Sequence, residues 1–138
     1  MTVTVRYARQ ERYRASPING VMAPLVPVRL QSGGRSADTL GLVDSGADLS
    51  MFNAAFAVPL GIDLSLYPDD SSSGLGGSVP VKLVPIRMVV FGKSIDATVQ
   101  FGMAIPQSFG LLGRADFFGA FSVGFNQRNL QVLLHPLP

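Results

Sequence analysis

Glycine and proline interrupt this chain at short intervals, which restricts it to short elements of secondary structure. There are 15 glycines and 10 prolines among 138 residues, and the segments between them alternate apolar and polar residues instead of repeating at helical spacing. In residues 25–31, Val26, Val28 and Leu30 fall on one face of a strand, with Pro27 and Arg29 on the other. The pattern predicts an all-β domain, closed or sandwich-like, with little helix.

The same alternation predicts most of the remaining elements. Further strands are expected at 39–43, 84–91, 94–101, 121–125 and 130–134. Gly92-Lys93 is expected to form a two-residue hairpin connection, because glycine suits a primed turn. One or two short helices are predicted, at 54–57 after the capping residue Asn53 and at 114–120.

The composition excludes several kinds of catalytic site. The chain has no cysteine and one histidine, His135, so it forms no disulfide, thiolate nucleophile or cysteine-based metal site. A single histidine excludes a histidine metal cluster within one chain and disfavours a Ser-His-Asp triad. We therefore predict neither a metal nor another cofactor, and carboxylates are the groups left for acid–base chemistry.

Positive charge is concentrated at the N-terminus. Four arginines against Glu11 give the first 14 residues a charge of +3, so the remainder carries −1 of the overall +2. We divide the chain into a basic arm or extra strand at 1–23 and a domain at 24–138. Val3, Val5 and Tyr7 alternate as in an edge or intersubunit strand. The arm could contact nucleic acid, but a nucleic-acid partner is disfavoured because the domain itself is not basic.

No segment of the sequence is apolar enough to predict a membrane span. The charge-free stretches at 49–62 and 99–113 are interrupted by polar residues or proline and fall short of the ~18 apolar residues that a helix needs to cross a bilayer. No secretory signal follows Met1, because Arg6 interrupts any apolar run. We expect a cytoplasmic protein with no membrane partner.

Three features of the sequence suggest a common active site. Asp44-Ser45-Gly46-Ala47-Asp48 follows two apolar residues, whereas Leu111-Leu112-Gly113-Arg114 lies much later in the chain. Between them, residues 69–78 form a small, polar, glycine-rich segment that is either a disordered loop or a hairpin tip that closes over a ligand. Each feature alone has an ordinary structural explanation as a turn, a capped core strand or a loop.

In this order and spacing, the three features resemble the retroviral-type aspartic proteases, or retropepsins, across residues 24–135. The resemblance implies a cellular, single-domain member with a closed β-fold and a glycine-rich flap hairpin. It makes Asp44 the catalytic residue, with Ser45, Gly46 and Gly113 supporting its loop. In that family the segment of Gly113 passes behind the aspartate loop, where glycine permits close backbone contact.

The resemblance also implies the residues around the substrate. The expected substrate contacts are Ala47, Asp48, the flap-tip residues Gly74, Leu75, Gly76 and Gly77, and the pocket residues Phe109 and Leu111. Phe109 fits a core position equally well. Asp48 is expected to pair with Arg114, and a buried pair of this kind costs about 3–5 kcal/mol to break by removing one partner.

The implied activity is that of an aspartic endopeptidase cleaving extended polypeptides between apolar residues. The mechanism needs two carboxylates, but no aspartate other than Asp44 stands in an Asp-Thr/Ser-Gly sequence. A second chain must therefore supply the other carboxylate, so a homodimer is required for catalysis.

Retroviral members commonly interleave terminal strands to form the dimer, whereas this chain ends in Pro136-Leu137-Pro138, and proline cannot donate to a ladder. The alternative is a catalytically silent peptide-binding or dimerisation module.

Overall fold

The computed structural model describes residues 1–138, of which 53% lie in strands and 8% in helices. The strands are β1 (Arg9–Arg12), β2 (Arg14–Ala15), β3 (Met22–Ala23), β4 (Leu25–Ser32), β5 (Arg35–Val43), β6 (Met51–Asn53), β7 (Asp69–Gly74), β8 (Gly77–Val90), β9 (Lys93–Gly102), β10 (Gly110–Leu112), β11 (Phe121–Asn126) and β12 (Gln131–Pro136). The helical segments are the 3-10 turns Ala54–Ala57 and Leu64–Leu66 and the single turn α1 (Phe117–Ala120). The predicted all-β character is confirmed.

The largest sheet is mixed and closes on itself. Its strand order is β4-β5-β10-β6-β9-β8-β7, and β8 pairs with β4 as well. Six strands therefore form a ring, while β7 extends from it and pairs only with the first part of β8. The long strand β8 is shared between the ring and the β7–β8 hairpin, so the hairpin is continuous with the barrel wall.

Strand β10 lies between two strands that are neighbours in sequence. It runs parallel to β5 and antiparallel to β6, although the chain connects β5 directly to β6 through residues 44–50. This connection, which we call the Asp44 loop, must therefore cross the end of β10. The topology brings together the two motifs that are far apart in the sequence.

The barrel interior holds the main hydrophobic core. Val26, Val28 and Leu30 of β4 are all buried there, whereas Pro27 and Arg29 are exposed, as the alternation predicted. Met51, Val81 and Ile105 form a smaller second cluster, against which Val79 and Leu111 pack. That second cluster thus connects the hairpin end of β8 with β6 and β10.

A separate three-stranded sheet joins the two ends of the chain. Its order is β1-β12-β11, and the centre strand β12 therefore has a partner on both edges. Tyr13, directly after β1, is buried in the main core, and Arg9 stacks over the Phe91 ring at 4.2 Å. Part of the basic segment is thus integrated into the domain. The strand begins at Arg9, so the alternation at residues 3–7 does not form a strand within the protomer.

The local elements differ from the sequence predictions at several places. The β8–β9 turn is Phe91-Gly92, one residue earlier than predicted, and both residues have positive φ, 46° and 78°. The second predicted helix is shortened to α1, because Asp116 caps it by accepting from the Phe117 N–H. Of the two alternatives for the polar stretch at 69–78, a loop or a hairpin tip, the structure has a hairpin, but its paired strands begin at Asp69 and only Leu75-Gly76 forms the tip. Asn53 caps the first 3-10 turn as predicted.

None of the helices has the length and apolar composition that crossing a bilayer requires.

Candidate active site

Asp44 is the first residue after β5, at the start of the Asp44 loop. Its N–H donates to the Leu112 carbonyl of β10 at 3.1 Å. Its side-chain Oδ1 accepts from the Gly46 N–H at 2.9 Å, and the Ala47 N–H donates to its carbonyl at 3.2 Å. The side chain is half-buried. The carboxylate is therefore oriented by the backbone while remaining open to a ligand.

The segment after β10 forms backbone hydrogen bonds with the middle of the Asp44 loop. The Arg114 N–H donates to the Ala47 carbonyl and the Ala115 N–H to the Asp48 carbonyl, each at 2.9 Å. Gly113 lies so close to this loop that an added Cβ would stand 2.5 Å from the Leu49 carbonyl carbon. Because backbone cannot yield as a flexible side chain does, only glycine fits at this position.

Replacing Gly113 with alanine should therefore lower the free energy of unfolding by about 1–3 kcal/mol, the usual cost of overpacking. Urea denaturation measures the change. Gly119→Ala is the matched control, since a Cβ there meets nothing within 4 Å and should be neutral or slightly stabilising. Equal unfolding free energies for the two variants would contradict the close packing of Gly113 on the loop.

Arg114 connects two parts of the Asp44 loop through its side chain. Its Nη1 donates to the Ser45 carbonyl at 2.7 Å, and its Nη2 contacts the Asp48 carboxylate. The Asp48 and Arg114 side chains are 84% and 52% exposed in the protomer. The large energetic cost expected for a buried pair does not apply to the isolated protomer, where such an exposed pair contributes about 0–1 kcal/mol.

A buried polar network under the loop was not found by sequence reasoning. The Ser50 hydroxyl donates to Asp116 Oδ1 at 2.5 Å and accepts from the Gly113 N–H at 3.0 Å. Asp116 Oδ1 also accepts from the Phe117 N–H at 2.6 Å. Ser50 and Asp116 are both buried. The network joins the end of the Asp44 loop to β10 and to the start of α1.

A cavity of about 510 Å³ lies between the Asp44 loop and the β7–β8 hairpin. Its lining residues are Asp44, Gly46, Ala47, Asp48, Leu49, Met51, Ser71, Ser72, Ser73, Gly74, Gln100 and Leu111. The structure thus brings together six of the residues singled out from the sequence: Asp44, Gly46, Ala47, Asp48, Gly74 and Leu111. Gln100 belongs to none of the three motifs, whereas the serines of β7 lie within the segment 69–78 but were not singled out as substrate contacts.

The β7–β8 hairpin forms one wall of this cavity. Its strands pair from Asp69 with Lys82 to Gly74 with Gly77, which leaves Leu75-Gly76 as the tip. Leu75 is fully exposed, and neither tip residue nor Gly77 lines the cavity. Strand β7 is the last in its sheet, so its outer edge has no partner. The cavity is therefore bordered by a strand with a free edge.

Phe109 does not share the cavity with Leu111, although the two residues are spaced two apart. Strand β10 begins only at Gly110, so strand alternation does not extend back to Phe109. It lines a second cavity of about 220 Å³ with Leu42 and residues of the β2–β3 segment such as Val21. Phe109 is thus half-buried at a pocket separate from the one that holds Asp44.

Two carboxyl groups outside the cavity have displaced pKa values. The side-chain hydrogen bonds from Arg29 lower the pKa of Asp38, and the same bonds raise the pKa of Arg29. Hydrogen bonds from the Ser65 hydroxyl and backbone N–H lower the pKa of Asp63. No group of three or more histidine, aspartate or glutamate residues is placed to hold a metal ion.

No protein-family model matches the chain. A search of the curated proteins also finds no match.

Proposed function

We propose that this protein is an aspartic endopeptidase of the retropepsin type, active as a homodimer. The observation that carries the proposal is the environment of Asp44. Of the two carboxylates in the cavity, Asp48 is paired with Arg114, whereas Asp44 accepts only from the Gly46 N–H. An oriented carboxylate without a basic partner, lining a cavity, suits general acid–base chemistry.

The walls of the cavity favour an extended polypeptide as the substrate. The outer edge of β7 has no partner, and an extended peptide can add to such an edge through backbone hydrogen bonds. In this proposal the β7–β8 hairpin is the flap, and Leu75, Gly76 and Gly77 form the tip that closes over the peptide. Closure would exclude water from the reacting groups.

The proposed reaction needs a second carboxylate, which a second copy of the chain would bring. Two carboxylates about 3 Å apart cannot both ionise at low cost, so the pair shares one proton. The ionised Asp44 takes a proton from water as the water oxygen bonds to the scissile carbonyl carbon, and the protonated Asp44 hydrogen-bonds the carbonyl oxygen. The carbonyl bond re-forms as the C–N bond breaks, and the Asp44 carboxyl that took the proton from water passes it to the leaving nitrogen, which returns that carboxyl to its ionised form.

The subunit contact would involve the face that carries the Asp44 loop. Because β1 and β11 occupy both edges of β12, interleaving through that strand is not available while the protomer keeps this sheet. The exposed Asp48 and Arg114 side chains and the Ser45 hydroxyl lie on the loop face. In the dimer, Ser45 would connect the two loops across the axis.

Catalysis across a dimer predicts a specific dependence on concentration. Activity per chain against an unfolded protein should fall on dilution below the dimer dissociation constant, in parallel with the dimer fraction found by sedimentation. Activity per chain that stays constant while the dimer dissociates would contradict a shared site. A proven dimer that binds peptides without cleaving them would instead favour the peptide-binding module, which the free edge of β7 also suits.

A further inference from the structure

Gln100 is a polar residue buried at the candidate active site. It lies on β9, where Ser94, Asp96 and Thr98 occupy the same strand face and are exposed. Gln100 is only 8% exposed, because it lies beneath the cavity walls formed by the hairpin and the Asp44 loop. The polar face of β9 thus extends into the cavity, where Gln100 is its last residue.

The Gln100 carboxamide has no hydrogen-bond partner within the chain. The backbone N–H of Gln100 donates to the Ser50 carbonyl at 2.9 Å, but no other group of the chain bonds to its side chain. His135 Nδ1 is the single unpaired side-chain polar atom that is sealed from solvent, so the Gln100 amide atoms open onto the cavity. A ligand that covers these atoms would bury the amide, which is costly unless the ligand itself forms hydrogen bonds with it.

The surroundings of Gln100 disfavour an anionic ligand group and offer hydrogen bonds to a polar one. Ser72 is half-buried and lines the same cavity, and it adds a hydroxyl that can donate or accept. The Asp48 carboxylate is already neutralised by Arg114, while Asp44 disfavours an anion. A carboxamide presents one acceptor and two donors, and it can therefore form a reciprocal pair of hydrogen bonds with another amide.

We propose that Gln100 selects substrates in which an uncharged hydrogen-bonding side chain, best an asparagine or glutamine amide, enters this cavity. The inference rests on the proposed function, because it assumes that the cavity receives an extended peptide. The sequence analysis predicts cleavage between apolar residues. In this inference, one of the substrate residues that flank the scissile bond is polar instead. An apolar side chain at that position would leave the Gln100 amide buried and unpaired.

The test uses synthetic decapeptides that carry either Gln or Met at each of four central positions. For the parent protein, one position should prefer Gln over Met by about 10–100-fold in kcat/KM, the ratio that a buried unpaired polar group imposes. Gln100→Met, which keeps the length of the side chain, should abolish that preference. Thr98→Val is the matched control on the same strand face and should retain it, with both variants shown to be folded by circular dichroism.

Binding of the same peptides to Asp44→Asn separates this inference from the proposed activity. A Gln preference in binding that depends on Gln100 supports the inference even if the parent protein cleaves nothing. Cleavage with a Met preference at every position overturns the inference but leaves the peptidase intact. A Gln preference that survives in Gln100→Met also overturns it, and the absence of both binding and cleavage overturns both proposals.

Discussion

Replacing Asp44 with asparagine should abolish peptide cleavage while leaving the fold intact. The asparagine Oδ1 can still accept from the Gly46 N–H, as Asp44 does at 2.9 Å, so the loop keeps its turn. The amide cannot take a proton from water, and both copies lose the group in a homodimer. Because general acid–base catalysis contributes about 10²–10⁴-fold in rate, we expect a loss of at least about 10³-fold in the cleavage of an unfolded protein at mildly acidic pH.

Asp96→Asn is the matched control for this substitution. Asp96 is an exposed aspartate of β9 that pairs only with Arg87, and its replacement should leave the rate unchanged. Excess Asp44→Asn should also inhibit the parent protein when the two are mixed, because mixed dimers would carry one carboxylate. Unaltered cleavage by purified Asp44→Asn would remove Asp44 from the mechanism, and unaltered parent activity in the mixture would argue against exchange of active dimers.

The second large effect concerns Asp116, whose replacement by alanine should lower the free energy of unfolding by about 3 kcal/mol. The variant would leave the Ser50 hydroxyl and the Phe117 N–H without the acceptor they share. A buried group left unpaired costs about 1–3 kcal/mol, and more where a charge is involved. The Gly113 N–H, which donates to Ser50, would also lose its fixed partner. Urea denaturation at neutral pH measures the loss.

Two further variants distinguish the effect of breaking this hydrogen-bond network from the effect of removing any aspartate. Asp116→Asn keeps an oxygen that can accept from Ser50 or Phe117, so it should cost less than alanine. Asp96→Ala removes an exposed carboxylate and should change the unfolding free energy by less than about 1 kcal/mol. If Asp116→Ala proved no more destabilising than Asp96→Ala, the network would not stabilise the Asp44 loop.

Local patterns in the sequence predict much of the fold. The alternation in residues 25–31 identifies both the strand and its buried face, and Asn53 identifies the first cap, because these depend on nearest neighbours along the chain. The sequence predicts the turn at Gly92-Lys93, one residue later than the observed turn at Phe91-Gly92. Glycine suits the first and the second position of such a turn, so Gly92 alone does not distinguish the two placements. Strand boundaries depend on the ladder formed with distant segments, which the local pattern does not contain.

The parts of the candidate site that sequence reasoning missed are all products of tertiary packing. Ser50 and Asp116 resemble surface residues in sequence, and only the insertion of β10 between β5 and β6 buries them side by side. Gln100 continues an exposed polar face until the hairpin covers it. Phe109 and Leu111 have the spacing of strand neighbours, but the strand starts between them, and so they line different cavities.

The sheet β1-β12-β11 has a consequence for engineering the chain. Because Arg9 pairs with Leu134 in antiparallel register, the start of β1 and the end of β12 lie side by side, and a short linker can join these two strand ends. New ends can then be opened at Leu75-Gly76, outside every strand. Such a circular permutant would retain the ring of strands and the β7–β8 pairing, while the two strands would no longer be covalently connected at the tip.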